Sequence, residues 1–157
     1  MTSLVLLHPF PLDASSWDPV RAIMAVDRPV IAPSFPGFGG TDPLPGVGIA
    51  DFADQVAEVI RREAGGRAAV AGLSMGGYTA LALAARHPET IAALVLADTR
   101  AEADTDAARE ARDQAVVTVR AAGLGAFLDD FLRRLLAPDA TDAVRERARR
   151  IADRQPG

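Results

Sequence analysis

Residues 67–87, RAAVAGLSMGGYTALALAARH, decide the fold, because they read as a short apolar strand, a serine between glycines and a helix of small residues. Gly72-Leu73-Ser74-Met75-Gly76 matches the G-x-S-x-G pattern, in which a sharp strand-to-helix turn holds a serine in a strained backbone conformation. Small residues are needed two residues before and two after the serine, since a Cβ atom there would collide across the turn. The stretch therefore predicts that Ser74 projects from a strand tip as a nucleophile.

The helix after Ser74 adds a site for negative charge. Met75 would occupy the first helical position, where a backbone N–H has no acceptor within the helix and the helix dipole favours an anion. An oxyanion that develops beside Ser74 would accept a hydrogen bond there. The alternative is a tight glycine turn with an incidental serine. A phosphate-binding loop over 72–77 is disfavoured, because the chain contains no lysine to complete a Walker-type motif.

The composition favours a globular protein and excludes several classes. The 157 residues are 49% hydrophobic and carry a net charge of −4, which gives no electrostatic case for binding nucleic acid or anionic membranes. The absence of cysteine excludes disulfides, thiolate metal sites and a cysteine nucleophile. The N-terminal segment lacks a basic region and no apolar run approaches the roughly 20 residues of a membrane span. We therefore expect a cytoplasmic location.

Four short apolar runs alternate with helical patterns in the first hundred residues. Asp13 or Ser15 is predicted to cap a first helix and Asp51 a second, and a third helix is predicted from Met75 to about His87. This alternation implies right-handed crossovers and a parallel sheet with helices on both faces. The strands are predicted at 4–7, 30–32, 68–73 and 92–97. Since no strand pattern follows 92–97, its outer edge invites self-association or pairing with a complementary C-terminal segment.

After Thr99 the pattern becomes purely helical. Residues 102–122 are charged and rich in alanine, and a further helix is predicted from about Thr141 to Asp153. Between them lies an apolar stripe at helical spacing, formed by Leu124, Phe127, Leu128, Phe131, Leu132 and Leu135. Residues 100–157 are therefore expected to form a helical appendage to the sheet.

The elbow and the order of elements resemble the α/β-hydrolase superfamily, in particular small bacterial esterases and 3-oxoadipate enol-lactonase-like members. Leu6–Pro11, followed by Trp17, resembles the family's oxyanion loop and its downstream tryptophan. Pro36–Gly39 resembles the Pro-Gly-x-Gly loop, and Leu94–Thr99 resembles the strand before the cap. The resemblance implies a three-layer α/β core of four parallel strands in 1–99, followed by a helical cap segment in 100–157.

The resemblance also implies roles for individual residues. Ser74 would be the nucleophile, and the backbone N–H groups of Phe10 and Met75 would be the oxyanion donors. Pro9 replaces a usual glycine, but the donor is the following residue, so the oxyanion hole survives. The substrate pocket would be lined by His8, Phe10, Trp17, Phe38 and Met75. The implied substrate is a small-molecule ester or lactone, and neither metal nor organic cofactor is expected.

The family's acid and histidine follow two later strands, for which the chain shows no pattern. His8 belongs to the oxyanion loop, and His87 lies about 18–20 Å from Ser74 along a helix. Asp98 ends a strand and is either an acid or a turn residue. We therefore expect the N-terminal part of a serine hydrolase, with activity impaired because the catalytic histidine is absent. The alternatives are a non-catalytic hydrolase-like chain that binds a ligand or partner, and a cofactor-free perhydrolase or haloperoxidase-like enzyme.

Overall fold

The computed structural model describes residues 1–155 and shows a four-stranded sheet whose strands alternate with helices, followed by two further helices. The strands are β1 (Leu4–Leu7), β2 (Val30–Ile31), β3 (Ala68–Leu73) and β4 (Ile91–Ala97). The helices are α1 (Asp18–Met24), α2 (Ile49–Glu63), α3 (Met75–Arg86), α4 (Asp106–Leu135) and α5 (Asp142–Ala152), and short 3-10 turns lie at Ala14–Trp17 and Pro88–Thr90. Within residues 1–155, no helix combines the length and hydropathy that crossing a bilayer requires.

The sheet is parallel throughout, as the alternating pattern predicted, and its strand order is β2-β1-β3-β4. β3 pairs with β1 up to Leu7↔Gly72 and with β4 up to Leu73↔Ala97. In a parallel sheet the carboxyl ends of all strands meet at one edge, where binding sites collect. Ser74 therefore leaves the sheet between the segment that follows β1 and the segment that follows β4.

Residues 1–101 form a first compact unit, whose core lies where α2 and α3 pack together and against the sheet. Both helices present small and branched side chains, and Phe35 stacks on Phe52 with ring centroids 4.7 Å apart. The tight packing of this layer fixes the position of α3, and hence of the residues at its N-terminus. The cluster consists of Val5, Leu7, Phe35, Phe52, Ala53, Val56, Ala57, Ile60, Ala68, Val70, Ala80 and Leu83.

β4 differs from the central strands although its sequence is equally apolar. Leu94, Val95 and Leu96 are 37%, 54% and 43% exposed, whereas Val70 on β3 is fully buried. Among the described residues β4 pairs only with β3, so its outer edge carries unpaired backbone groups. An apolar edge strand of this kind is a template for pairing with another strand.

The predicted N-cap of α2 is wrong by three residues. The helix begins at Ile49 with Gly48 as its N-cap, and Asp51, predicted as the cap, is the third helical residue. An Asp51 carboxylate oxygen accepts a hydrogen bond from the Gly48 N–H at 2.8 Å. Asp51 therefore satisfies an N-terminal backbone donor from inside the helix, as the acidic member of a capping box does.

Residues from Glu102 onward form a second compact unit, built from α4 and α5. The charged segment and the apolar stripe form two successive helical stretches of α4, which are separated at Gly123, where φ is 83° and ψ is 163°. Leu128 and Leu132 of the stripe are buried, as are Ala148 and Ile151 of α5. The stripe is thus a packing face within this unit, while its assignment as a cap stays a prediction.

Candidate active site

Ser74 occupies the junction of β3 and α3 in a conformation that L-residues rarely adopt. Its φ and ψ are 52° and −112°, and it is the N-cap of α3. Its N–H donates to the Ala97 carbonyl oxygen at 3.0 Å, so β4 helps to hold the turn. Strain of this kind persists only where the surroundings enforce it, and it is concentrated at functional sites. The backbone at Ser74 has the form that the G-x-S-x-G pattern predicted.

The glycines that flank Ser74 are needed for close backbone contacts. A Cβ atom on Gly72 would collide with the carbonyl oxygen of Gly76, and a Cβ atom on Gly76 would collide with the carbonyl oxygen of Leu7. The Leu7 carbonyl belongs to the last residue of β1. The absence of side chains therefore brings the first turn of α3 against the end of β1, just before the loop that carries His8 and Phe10.

His8 fixes the loop after β1 through both of its ring nitrogens. Nδ1 lies 3.1 Å from the Pro9 carbonyl oxygen, and Nε2 lies 3.1 Å from the Phe35 nitrogen. Since the Phe35 N–H can only donate, Nε2 is the acceptor and Nδ1 carries the proton that is donated to Pro9. The side chain thus ties the β1 loop to the loop after β2. Neither nitrogen is left to take a proton from Ser74.

The electrostatics of His8 agree with this neutral form. Its side chain is fully buried, and desolvation lowers its pKa from 6.5 to about 4, against smaller opposing effects from the Pro9 carbonyl and Asp13. Burial penalises the charged imidazolium more than these partners stabilise it. At neutral pH His8 is therefore an uncharged structural link between two loops.

Aromatic side chains from both loops gather beside His8. The ring of Phe38 lies 5.2 Å from that of His8 and 6.2 Å from that of Phe10, centroid to centroid. Phe38 and Met75 are half-buried and pack against the core cluster, while Phe10 is 38% exposed. Trp17 closes the 3-10 turn, and within residues 1–155 its buried indole N–H has no hydrogen-bond partner. The structure thus gathers His8, Phe10 and Phe38, and the roles of all five predicted pocket residues stay predictions.

Asp98 directly follows β4, whose last residue, Ala97, pairs with Leu73. Its φ of 43° makes it, with Ser74, one of two non-glycine residues at positive φ within residues 1–155. The residue is exposed. This conformation fits the interpretation of Asp98 as a turn residue, because aspartate is among the few residues that adopt it readily. Its role as the acid stays a prediction.

His87 lies at the opposite end of α3 in a cluster of charged side chains. Its Nε2 is 2.7 Å from an Asp54 oxygen, and its Nδ1 is 3.2 Å from an Arg61 nitrogen. Arg86 and then His87 hold the pKa of the Asp54 carboxyl well below its usual range. The cluster joins α2 to α3 at the surface. Within residues 1–155, no group of three or more acidic or histidine side chains is arranged to hold a metal ion.

Two contacts at the site escaped the sequence analysis. Phe35 supplies the N–H that holds His8, and Thr99 donates from its hydroxyl to the Ser74 carbonyl oxygen at 3.0 Å. Both depend on loops that return to the sheet edge from distant positions. The only available signal was their position in the loops that follow β2 and β4, since the sites of parallel sheets are assembled at the carboxyl ends of strands.

Known proteins match both the sequence and the fold of this chain. The family model described as the alpha/beta hydrolase fold matches residues 2–146. A thermophilic esterase from Thermogutta terrifontis has a TM-score of 0.91 at 33% identity and covers 99% of this chain and 59% of its own. The enol-lactonase from Burkholderia xenovorans LB400 has a TM-score of 0.85 at 28% identity, with 97% and 58% covered.

A sequence relative points the same way. The pimeloyl-[acyl-carrier protein] methyl ester esterase of Aromatoleum aromaticum is 36% identical over 96 residues, which are 61% of this chain and 36% of that protein. The chain thus spans about three fifths of the solved relatives and about a third of this one. With a family model matched over most of its length, a parallel four-stranded sheet and a strained serine at the strand tip, the chain belongs to the α/β-hydrolase fold family.

Proposed function

We propose that Ser74 is the nucleophile of a serine hydrolase that cleaves carboxylic esters or lactones. The observation that carries the proposal is the left-handed, strained backbone of Ser74 at the strand–helix junction. That conformation has a steric cost with no evident structural benefit, and it presents the side chain at the sheet edge where the β1 loop also lies. The names of the relatives, two esterases and an enol-lactonase, support this substrate class.

The proposed reaction proceeds through an acyl-enzyme. Ser74 Oγ attacks the acyl carbon, and the N–H groups of Phe10 and Met75 stabilise the oxygen of the tetrahedral intermediate. The intermediate collapses as the bond to the alcohol oxygen breaks, and the proton lost by Ser74 ends on that oxygen. An ester thereby releases its alcohol, whereas the new hydroxyl of an opened lactone stays attached to the acyl group. Water then attacks the acyl-serine, which returns a proton to Ser74 and releases the acid. A single donor of this kind contributes about 3 kcal/mol of transition-state stabilisation.

The proposed reaction lacks a base within this chain. A serine hydroxyl is a weak nucleophile unless a neighbouring base takes its proton. Both ring nitrogens of His8 are engaged, and His87 sits in the charged cluster at the other end of α3. Turnover by the 157-residue chain is therefore expected to be weak or absent unless a C-terminal part is supplied in trans.

Acetylation by p-nitrophenyl acetate tests the nucleophile directly. The chain contains no lysine, so the usual background of lysine acetylation is absent. Trypsin releases residues 68–86 as one peptide, in which Ser74 is the only serine. We expect mass spectrometry of this peptide to show a slow accumulation of one acetyl group on Ser74.

Two variants make the result decisive. Ser74→Ala should abolish acetylation of the peptide, whereas Thr118→Ala, which removes an exposed hydroxyl from α4, should leave it unchanged. Acetylation confined to Tyr78 or Thr79 would contradict the assignment. Fast turnover that disappears in Ser74→Ala would keep Ser74 as the nucleophile and overturn the claim that the base is missing.

A second candidate function rests on the exposure of β4. Its apolar, unpaired edge favours the alternative of a non-catalytic chain that associates with a copy of itself or with a complementary segment. Light scattering across a concentration series should then show association that Val95→Lys, a charge on the edge strand, reduces. A wild-type chain that stays monomeric at all concentrations would count against this candidate.

A further inference from the structure

The carbonyl oxygen of Ser74 accepts three hydrogen bonds. Two come from α3 itself, from the N–H groups of Gly77 at 2.8 Å and Tyr78 at 3.1 Å. The third comes from the Thr99 hydroxyl at 3.0 Å, 25 residues away along the chain. A carbonyl oxygen has two lone pairs, and the two helical donors already use them. The third, non-local donor therefore calls for a reason beyond closing the helix.

Two consecutive backbone features bring Thr99 to this position. β3 and β4 pair in register up to Leu73↔Ala97, so that Ser74 and Asp98 are the next residues on the two strands. Both have positive φ, 52° and 43°. The turn at Asp98 directs the chain back towards Ser74, and the Thr99 side chain contacts the first turn of α3.

Gly77 provides the space that Thr99 fills. A Cβ atom on Gly77 would lie 2.5 Å from Thr99 Cγ2 and 2.6 Å from Thr99 Oγ1. Real Cβ atoms do not approach other atoms so closely. The Thr99 side chain can therefore occupy this position only because residue 77 has no side chain. Glycine is thus required at position 77 to make room for Thr99. Gly72 and Gly76 are required instead by the close backbone contacts of the turn at Ser74.

The hydrogen bond from Thr99 is accepted by the same peptide group whose N–H, that of Met75, is the proposed oxyanion donor. The Ser74 carbonyl and the Met75 N–H belong to one planar peptide unit. A hydrogen bond accepted by the oxygen of an amide polarises the unit and strengthens its N–H as a donor, because hydrogen bonds in chains reinforce one another. The same bond fixes the plane of the peptide, and hence the direction in which the Met75 N–H points.

We propose that Thr99 is a positioning residue for the oxyanion hole, which orients and polarises the Ser74–Met75 peptide through its hydroxyl. This inference rests on the proposed role of Met75 as an oxyanion donor. Thr99 itself touches no reacting atom. Its hydroxyl carries the effect, while its methyl group only fills the space above Gly77.

Nuclear magnetic resonance of the 157-residue chain separates these two contributions. Thr99→Val keeps the shape of the side chain and removes the donor, whereas Thr99→Ser keeps the donor and removes the methyl group. We expect the amide 15N and 1H resonances of Met75 to move upfield in Thr99→Val and to return close to the wild-type positions in Thr99→Ser. Thr99→Ala tests the same loss of the donor should Thr99→Val not fold.

Thr90→Val is the matched control. The Thr90 hydroxyl donates to the His87 carbonyl oxygen at 2.8 Å, so the same substitution removes an equivalent bond at the other end of α3. It should leave the Met75 amide resonances in place. A Met75 amide that is unchanged in folded Thr99→Val or Thr99→Ala would overturn the proposal. So would a Met75 amide that moves as far in Thr99→Ser or in Thr90→Val as it does in Thr99→Val.

The acetylation assay distinguishes this proposal from the proposed function. We expect Thr99→Val to slow acetylation of Ser74 by roughly fivefold, less than the roughly 10²-fold or more that loss of a whole oxyanion donor costs. Thr99→Ser should restore the rate. Absence of acetylation in the wild-type chain would contradict the nucleophile, while the Met75 resonances would still report whether Thr99 acts on the peptide.

Discussion

The central strands and the edge strand of the sheet have similar sequences and opposite environments. β1 and β3 lie between neighbours and hold His8 and Ser74 at their carboxyl ends, with Val5 and Val70 fully buried. β4 is just as apolar, yet Val95 is 54% exposed. The difference shows that the strained turn at Ser74 leaves a strand that is paired on both sides, while the adjoining edge strand β4 presents a surface suited to a further strand.

The largest loss of stability is expected at Gly76, where the first turn of α3 packs directly against the end of β1. Gly76→Ala places a Cβ atom against the Leu7 carbonyl oxygen, a backbone atom that cannot move without distorting β1. We expect the free energy of unfolding to fall by at least about 3 kcal/mol, as severe overpacking does. Chemical denaturation monitored by circular dichroism measures this change.

Gly125→Ala is the control for that substitution. Gly125 lies in α4, and the nearest atom to its added Cβ would be an Arg149 side-chain nitrogen at an ordinary 3.8 Å. Since alanine is the better helix former, the variant should be as stable as the wild type or more stable by up to about 1 kcal/mol. Equal losses of unfolding free energy in Gly76→Ala and Gly125→Ala would show that the close contact between α3 and β1 does not account for the loss in Gly76→Ala.

The pH dependence of stability tests the buried link formed by His8. Its pKa is lowered from 6.5 to about 4, so between these values the unfolded chain binds a proton that the folded chain does not. The His8 contribution is therefore complete above pH 6.5 and declines as the pH falls to about 4, by about 3 kcal/mol in total. Urea unfolding across this range measures the decline.

His8→Asn separates this effect from the titration of carboxylates. The variant lacks the imidazole proton equilibrium, so its stability should depend less steeply on pH between 4 and 6.5 than that of the wild type. The same slope in both proteins would mean that His8 is not held neutral by its contacts to Pro9 and Phe35.

A pair of valine truncations gives the most direct contrast between centre and edge. Val70→Ala should cost about 2 kcal/mol, from lost burial and the remaining cavity. Val95→Ala, on the neighbouring strand, should change the free energy of unfolding by less than about 0.5 kcal/mol. Denaturation midpoints at low protein concentration compare the two. A large loss in Val95→Ala would indicate that β4 is covered in solution, as in an edge-to-edge dimer.

The strand runs and the elbow were predictable because both follow from short-range sequence patterns. Apolar runs bounded by proline, glycine or charged residues set the strands, and the bounds of β1 and β3 are those predicted. The backbone conformation of Ser74 follows from the need for glycine at positions 72 and 76. These features depend on residues within a few positions of one another.

The remaining features depend on contacts that no local pattern encodes. The exposure of β4 depends on what lies beside it, since its sequence matches that of a buried strand. The orientation of His8 is fixed by the Phe35 N–H, and the Ser74 carbonyl is held by the Thr99 hydroxyl. Both partners come from loops after other strands, so only the assembled sheet shows them.

A chimera tests the central claim, that Ser74 is a poised nucleophile in a site whose base is absent from this chain. Residues 1–155 would be joined to the C-terminal part of the Thermogutta terrifontis esterase that has no counterpart here, because that protein covers 99% of this chain with 59% of its own. We predict that the chimera hydrolyses p-nitrophenyl acetate about 10²- to 10⁴-fold faster than the chain alone, the gain that a positioned base provides. The gain should disappear in the Ser74→Ala chimera. A folded chimera with no gain, or a gain that survives Ser74→Ala, would contradict the account.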